Sequence, residues 1–267
     1  MRVMNVQGPV TKPHFVLAYG ASGTGKTHLC GTLGELGRVL FIDIDQGHET
    51  LACASELVKA RENITVVSFD TFKDLNTAYK AVAKNDPAYW TQLFNKGKQD
   101  VDGKPITPEH LDYFEVTEPF DWVVWDTWSE IQFYMMEELR QQKSHGAFGG
   151  TLDFRKNVEI QHWGMLTDLN KLSIQELRKC NVNQVFIMQE TMTKDELSGM
   201  IVGGPAIHGK MVQEVPAFFG VVIHTSTDTM GRFTQTTKSK GKWPAKSRRG
   251  PGADFVGATM KEVLNIE

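Results

Sequence analysis

No stretch of this sequence is apolar for long enough to cross a bilayer, and its opening residues, MRVMNVQGPVTKPHF, lack the apolar run of a secretory leader. Cysteine is scarce. Cys30, Cys53 and Cys180 are the 3 in 267 residues, odd in number and without C-x-x-C spacing, which argues against a disulfide framework and a zinc site. Neither sign of charge dominates: 29 Lys and Arg against 32 Asp and Glu leave a net charge of −3. Any nucleic-acid surface must therefore be local. These absences lead us to expect a soluble chain of a reducing compartment, the cytoplasm, with no membrane partner. With 40% hydrophobic residues there is enough apolar material for one large core.

What is present is Gly20-Ala-Ser-Gly-Thr-Gly-Lys26-Thr27, which fits the phosphate-cradling pattern G-x-x-x-x-G-K-[ST]. Glycine at 20, 23 and 25 permits backbone angles and close approach that a β-carbon forbids. The freed N–H groups form a nest for phosphate oxygens, backed by the positive end of the next helix. Lys26 would reach the β- and γ-phosphates and the Thr27 hydroxyl would ligate magnesium. Gly20, Ala21, Ser22, Gly23, Thr24, Gly25, Lys26, Thr27 and His28 are thus the candidate nucleotide contacts. The context agrees: Phe15 to Tyr19 reads as a buried strand, and Leu29, Leu33 and Leu36 recur at helical spacing behind the loop.

Along the chain, Val39–Ile42, Ile64–Phe69, Phe120–Asp126 and Val182–Met188 read as further strands. Helices are expected over 49–60, 74–83, 128–142, 158–179 and 210–214, with a short one around 259–266. Residues 221–225 and 232–237 read as a hairpin around Thr229-Met-Gly231. Residues 1–14 read as a loose arm, and 144–156 and 190–209 as Gly-rich loops. Residues 86–120, interrupted by Pro87, Pro105, Pro108 and Pro119, read as an irregular insertion with one short helix near 108–113. Strands alternating with helices and ending in a hairpin predict a three-layer α/β fold with a mostly parallel sheet.

Asp126, at the end of Trp-Val-Val-Trp, is the natural second magnesium-side residue beside Thr27. Hydrolysis also needs a carboxylate to orient the attacking water, and Asp45 and Glu130 compete for that role. Asp43, nearer the strand interior, reads as a structural partner of a backbone or Lys group. Gln189, at a strand end with a loop behind it, could sense a γ-phosphate through its amide. Lys238 to Arg249 holds six basic residues and no acid. It reads as a solvated basic loop, as a nucleic-acid contact with Trp243 as a stacking platform, or as a finger reaching a neighbour's phosphates. Trp122, Trp125 and Trp128 read as core. Asn95-Lys-Gly-Lys98 lacks the acid of a guanine-reading motif, which favours ATP over GTP, and no arginine-rich lid suggests a small-molecule kinase.

Taken with FIDIDQG at 41–47, WVVWDTWSE at 122–130, VFIMQE at 185–190, GKMVQEVP at 209–216 and AKSRR at 245–249, the phosphate loop resembles the RecA-like ATPase core. More narrowly, the set is similar to the phage nucleotide-binding ATPases that include single-strand-annealing recombination proteins. The resemblance implies a single RecA-like domain over 1–267 and a magnesium-dependent ATPase, with ATP and Mg2+ as ligands. It would act on single-stranded DNA in phage recombination or replication, in the host cytoplasm, with a single-strand-binding protein as a further partner. Asp45 inherits the catalytic-carboxylate role, although the family usually has Glu there. Gln189 matches the γ-phosphate switch, and 144–156 and 190–209 match the two DNA-binding loops. Lys246 and Arg248, as K-x-R, look like the fingers that such subunits insert into a neighbour's site, which implies a homo-oligomeric ring or filament with a shared nucleotide site. The alternative from a different class is an ATP-dependent switch or assembly protein whose partner is another protein.

Overall fold

The computed structural model of the protein describes residues 12–68, 71–145, 160–194, 199 and 201–266. The first strand, β1 (Phe15–Gly20), is buried at every position. Its side chains alternate, so Phe15, Leu17 and Tyr19 enter one hydrophobic core while Val16 and Ala18 enter another. Two cores on opposite faces of one sheet make the three layers expected for a parallel sheet. After the loop come α1 (Lys26–Gly31), β2 (Val39–Asp43) and α2 (His48–Cys53). Both helices are shorter than their sequence patterns suggest and tighten into 3-10 turns, at Thr32–Glu35 after α1 and at Ser55–Leu57 and Ala60–Asn63 after α2. These turns meet where Gly34 lies so close to Ala60 that an added β-carbon would sit 2.1 Å from its carbonyl oxygen.

The chain continues through β3 (Ile64–Ser68), α3 (Phe72–Lys84), α4 (Pro87–Asn95), β4 (Trp122–Asp126), α5 (Trp128–His145) and α6 (Ile160–Leu177). The expectation for 86–120 is corrected here. Pro87 opens α4 instead of breaking a helix, because a first-turn N–H has no intrahelical partner to lose. The Asp86 side chain caps that end by accepting from the Tyr89 N–H at 2.8 Å. Trp90 is fully buried against Phe94 and Phe120, which ties the segment to the main core. The helix expected near 108–113 is absent, and that stretch forms turns. Trp122, Trp125 and Trp128 are core residues, as expected.

The last third holds β5 (Asn183–Lys194), β6 (Ile201–Pro205), α7 (Met211–Glu214), β7 (Val221–Thr227), β8 (Phe233–Thr236), β9 (Lys246–Ser247), β10 (Asp254–Val256) and α8 (Met260–Leu264). The predicted 190–209 loop is mostly an antiparallel hairpin of β5 with β6. Thr191 and Thr193, β-branched, carry β5 beyond the sheet. Of the predicted 144–156 loop, residues 144 and 145 end α5 and the rest lies outside the described residues, as does most of the 1–14 arm.

The strands run in the order β10-β8-β7-β1-β5-β4-β2-β3. From β7 to β3 all pairings are parallel, and β8, β9 and β6 add antiparallel partners. Register then decides the neighbours at the carboxyl ends. Gly20 is level with Gln189, and Asp43 with Asp126. Ligands of open parallel sheets bind outside these ends.

Candidate nucleotide site

Gly23 and Gly25 hold φ of 75° and 80°, the left-handed region that the sequence assigned to glycine, and Gly25 caps α1. Lys26 is 6% exposed. Its ammonium bends into its own loop, donating to the Gly20 carbonyl at 3.0 Å and the Ala21 carbonyl at 2.7 Å. Thr24 Oγ1 donates to Ala21 O at 2.8 Å and pairs with Thr225 Oγ1 of β7 at 2.7 Å. The loop is therefore fixed to two strands before any phosphate arrives. Ser22, Gly23, Gly25, Lys26, Thr27 and His28 line a cleft of about 330 Å³.

On the metal side, the Thr27 hydroxyl donates to Asp126 Oδ2 at 2.8 Å. Asp126 is 1% exposed, and its Oδ1 is buried without a hydrogen-bond partner. Burial pushes its pKa up to about 7, with Asp45 and Asp43 adding to the rise and the Thr27 hydrogen bond and Lys26 opposing it. A hydroxyl and an unsatisfied carboxylate oxygen beside a phosphate cradle form a hard-oxygen set suited to magnesium, which takes few protein ligands. No group of three His, Cys, Asp or Glu that could hold a metal occurs among the described residues.

Gly47 closes this corner. A β-carbon added there would lie 2.9 Å from Asp126 Oδ2 and 3.4 Å from both Asp45 Oδ1 and Thr27 Oγ1. Its φ of −62° suits alanine, so Gly47→Ala would leave the backbone unstrained while placing a methyl among the oxygens. We expect the magnesium needed for half-maximal nucleotide turnover to rise about tenfold or more with an unchanged Tm. An unaltered magnesium titration would remove Gly47 from the site.

The two competing carboxylates and Asp43 separate clearly. Asp43 is buried, accepting from the Gly47 and His48 N–H groups at 2.9 and 3.1 Å and contacting the His48 ring at 2.6 Å. It is a structural partner of backbone, as expected, and of a histidine. Asp45 lines the cleft with Lys26 and Asp126. Burial, then the charges of Asp43 and Glu130, push its pKa up. Glu130 is exposed on the first turn of α5 and is not part of the cleft lining.

Gln189 joins the cleft to the β5–β6 hairpin. Its N–H donates to Ser129 Oγ at 3.1 Å, while its carbonyl accepts from Ala206 at 2.7 Å. Ser129 and Gln132 of α5 both donate to the Ala206 carbonyl at 3.0 Å. Phe233, at the start of β8, also lines the cleft and stands over Gly25, where an added β-carbon would be 2.7 Å from its ring. No local pattern marks Phe233 or Thr225, since each reaches the loop through distant strand pairing, whereas Gly47 ends the FIDIDQG run. His28 faces the Phe233 ring, with centroids 5.8 Å apart, and Glu56 at 3.9 Å.

Trp243 is not a free stacking platform, and that reading is corrected. Its ring stacks on His224 at 4.8 Å and covers Gly203. His224 in turn pairs with Glu190 at 2.9 Å. One face of the half-buried indole is thus taken by the histidine, and the Gly203 backbone packs against the ring. Lys246 and Arg248 lie away from the cleft. Lys246 pairs with Val222 and the Arg248 N–H donates to Gly220 O, so both sit toward the amino ends of strands whose carboxyl ends hold the loop.

A glycine-rich phosphate cradle at the carboxyl edge of a parallel sheet, faced by a strand-end aspartate, defines a P-loop nucleotide-binding fold of RecA-like type. The family follows from the sequence as a whole: the chain belongs to the AAA domain family, whose model matches residues 12–249. No curated protein sequence matches the chain. Among solved structures, the crystal structure of the RadB recombinase is similar over 92% of this chain and 88% of its own, at 14% identity and a TM-score of 0.44. No helix among the described residues is long and apolar enough to cross a membrane.

Proposed function

We propose that this chain is a magnesium-dependent ATPase that assembles into a ring or filament and acts on single-stranded DNA in phage recombination or replication. The observation that carries the ATPase reading is the Thr27–Asp126 hydrogen bond with its unpartnered Asp126 oxygen, set beside a buried lysine in a phosphate cradle. When bound, magnesium would neutralise charge on the β- and γ-phosphates. Lys26 would exchange the Gly20 and Ala21 carbonyls for phosphate oxygens, a stronger charge-assisted pairing. Asp45 is the carboxylate we assign to orient the attacking water, because it shares the cleft with Lys26 while Glu130 stands outside. Its raised pKa makes it a better proton acceptor than an ordinary surface aspartate.

Gln189 would report the γ-phosphate to the hairpin, since its own backbone bonds connect β5 to α5 and Ala206. The DNA reading rests on the motif resemblance and on the β5–β6 hairpin that begins one residue after Gln189. Retention of labelled single-stranded DNA on filters should rise with ATP and fall steeply with salt. Salt-independent behaviour with no effect of ATP would remove DNA from the proposal. The stacking of Trp243 on His224 favours the second reading, a nucleotide-driven switch acting on a protein partner, and the same filters would then show no retention.

A further inference from the structure

At the amino-terminal edge of the sheet, opposite the phosphate loop, lies a cavity of about 1500 Å³. Lys12, His14, Arg178, Lys179, Arg248 and Arg249 line it, and no carboxylate does among the described residues. Several of these cations already have work. Lys179 pairs with Glu176 on its own helical turn. Arg249 donates to the Lys12 carbonyl at 2.7 Å and contacts His14 Nε2 at 3.0 Å, tying the chain start to the turn after β9. Burial and Arg249 lower the His14 pKa to about 4, so the ring is neutral there.

Arg178, Arg248 and the exposed ammonium of Lys12, which uses only its backbone carbonyl here, remain, and of these the two arginines stand beside Lys246 of β9. Arg248 makes a single side-chain bond, to the Ala217 carbonyl at 3.3 Å. Arg178 follows the last turn of α6, and neither has an ion-pair partner among the described residues. Their charges also reach Lys246, where they add to burial in pushing its ammonium pKa down. Three cations from β9, the turn after it and the end of α6 are thus gathered without a counter-charge among the described residues. Like charges held together cost energy unless an anion joins them.

The opposite edge of the sheet has the complementary excess. Asp43, Asp45 and Asp126 meet there, and burial first, then their mutual charges, push up the pKa values of Asp126 and Asp45. Nucleotide phosphates would add further negative charge. One surface rich in cations and a different surface rich in anions match in a heterologous, head-to-tail contact, the kind that builds rings and filaments. We propose that Arg178 is a third trans-acting cation, which in a head-to-tail assembly closes with Lys246 and Arg248 over the terminal phosphates of a nucleoside triphosphate held by the neighbouring copy's loop. This rests on the oligomeric ATPase reading given above. A purely structural Arg178 would do no more than stabilise the negative end of the α6 dipole.

Mixed assemblies separate the two roles. Arg178→Ala should lower kcat about tenfold or more with nucleotide affinity unchanged, and Arg178→Lys should retain part of the rate because the charge persists. Lys26→Ala subunits lack a working loop but keep their amino edge. Mixed in equal amounts with Arg178→Ala subunits, they should restore about a quarter of the wild-type rate, the share of interfaces that combine an intact loop with an intact edge. Arg248→Ala mixed with Lys26→Ala is run in parallel. Recovery with Arg248→Ala but not with Arg178→Ala would overturn the role of Arg178 and leave the shared site standing. Recovery in neither pair would remove the shared site and the proposal with it. A wild-type rate for Arg178→Ala, whether or not its Tm falls, overturns the proposal, as does lost retention of single-stranded DNA with turnover intact. Should Arg178→Ala not fold, the Arg178→Lys rate decides: full wild-type turnover with Lys would count against a guanidinium role.

Discussion

Replacing Asp126 with asparagine should abolish magnesium-dependent ATP hydrolysis and, in the metal-free protein at pH 8, raise stability. Both effects come from one burial. The carboxylate is 1% exposed with one oxygen unpartnered, and burial pushes its pKa up to about 7 from an ordinary 3.8. Between those two values the folded protein holds a proton that the unfolded chain has released. Stability of the empty protein therefore falls as pH rises through this window, and the full cost is present above about pH 7. The shift corresponds to about 2–4 kcal/mol after allowance for the coupling of Asp126 to Asp43, Asp45 and Lys26. Asparagine keeps the acceptor for Thr27 and removes the charge. The prediction is a Tm in EDTA that declines from pH 5 to pH 8 in the wild type and much less in Asp126→Asn. Magnesium with a non-hydrolysable ATP analogue should restore the wild type at pH 8 and do little for the variant. Equal pH slopes for the two proteins would show that the buried charge is not what the fold tolerates for function.

Replacing Arg248 with alanine should lower kcat by about 10²–10³ while nucleotide affinity changes less than about threefold, if the guanidinium meets transition-state charge in a neighbour's site. Geometry excludes action within one chain. The Arg248 backbone bonds to Gly220, next to the residue level with Val16, four residues before Gly20. At strand rise that separates Arg248 from the loop by roughly 13 Å along the sheet. Its guanidinium points to the Ala217 carbonyl, on the amino side. Because Arg248 is exposed, the substitution should leave the Tm nearly unchanged. Light scattering with the ATP analogue should find an assembly larger than one chain. A strictly monomeric protein in which Arg248→Ala hydrolyses ATP normally would end the finger assignment.

The sequence by itself determined the phosphate loop, the strand before it, and the apolar run that delivers Asp126. Each of these is a contiguous pattern, and its physics is local: glycine permits left-handed turns, and a helix start concentrates N–H groups. Most strands and helices were legible for the same reason, through alternation and helical spacing. The tertiary structure alone placed Asp45 in the cleft and Glu130 outside it, because both follow an apolar strand in sequence. Only the placement of β2 beside β4 brings Asp45 into the cleft, while the first turn of α5 turns Glu130 outward. Long-range pairing also brought in Phe233 and Thr225 and stacked Trp243 on His224. It turned the basic run from one feature into two, a half-buried ring stacked on His224 and a pair of cations at the far edge. Even Pro87 changed meaning, since whether a proline breaks a helix or begins one depends on what packs behind it, here Trp90 in the core. Local chemistry specified which atoms could bind phosphate, and the sheet order specified which carboxylates and cations could reach them.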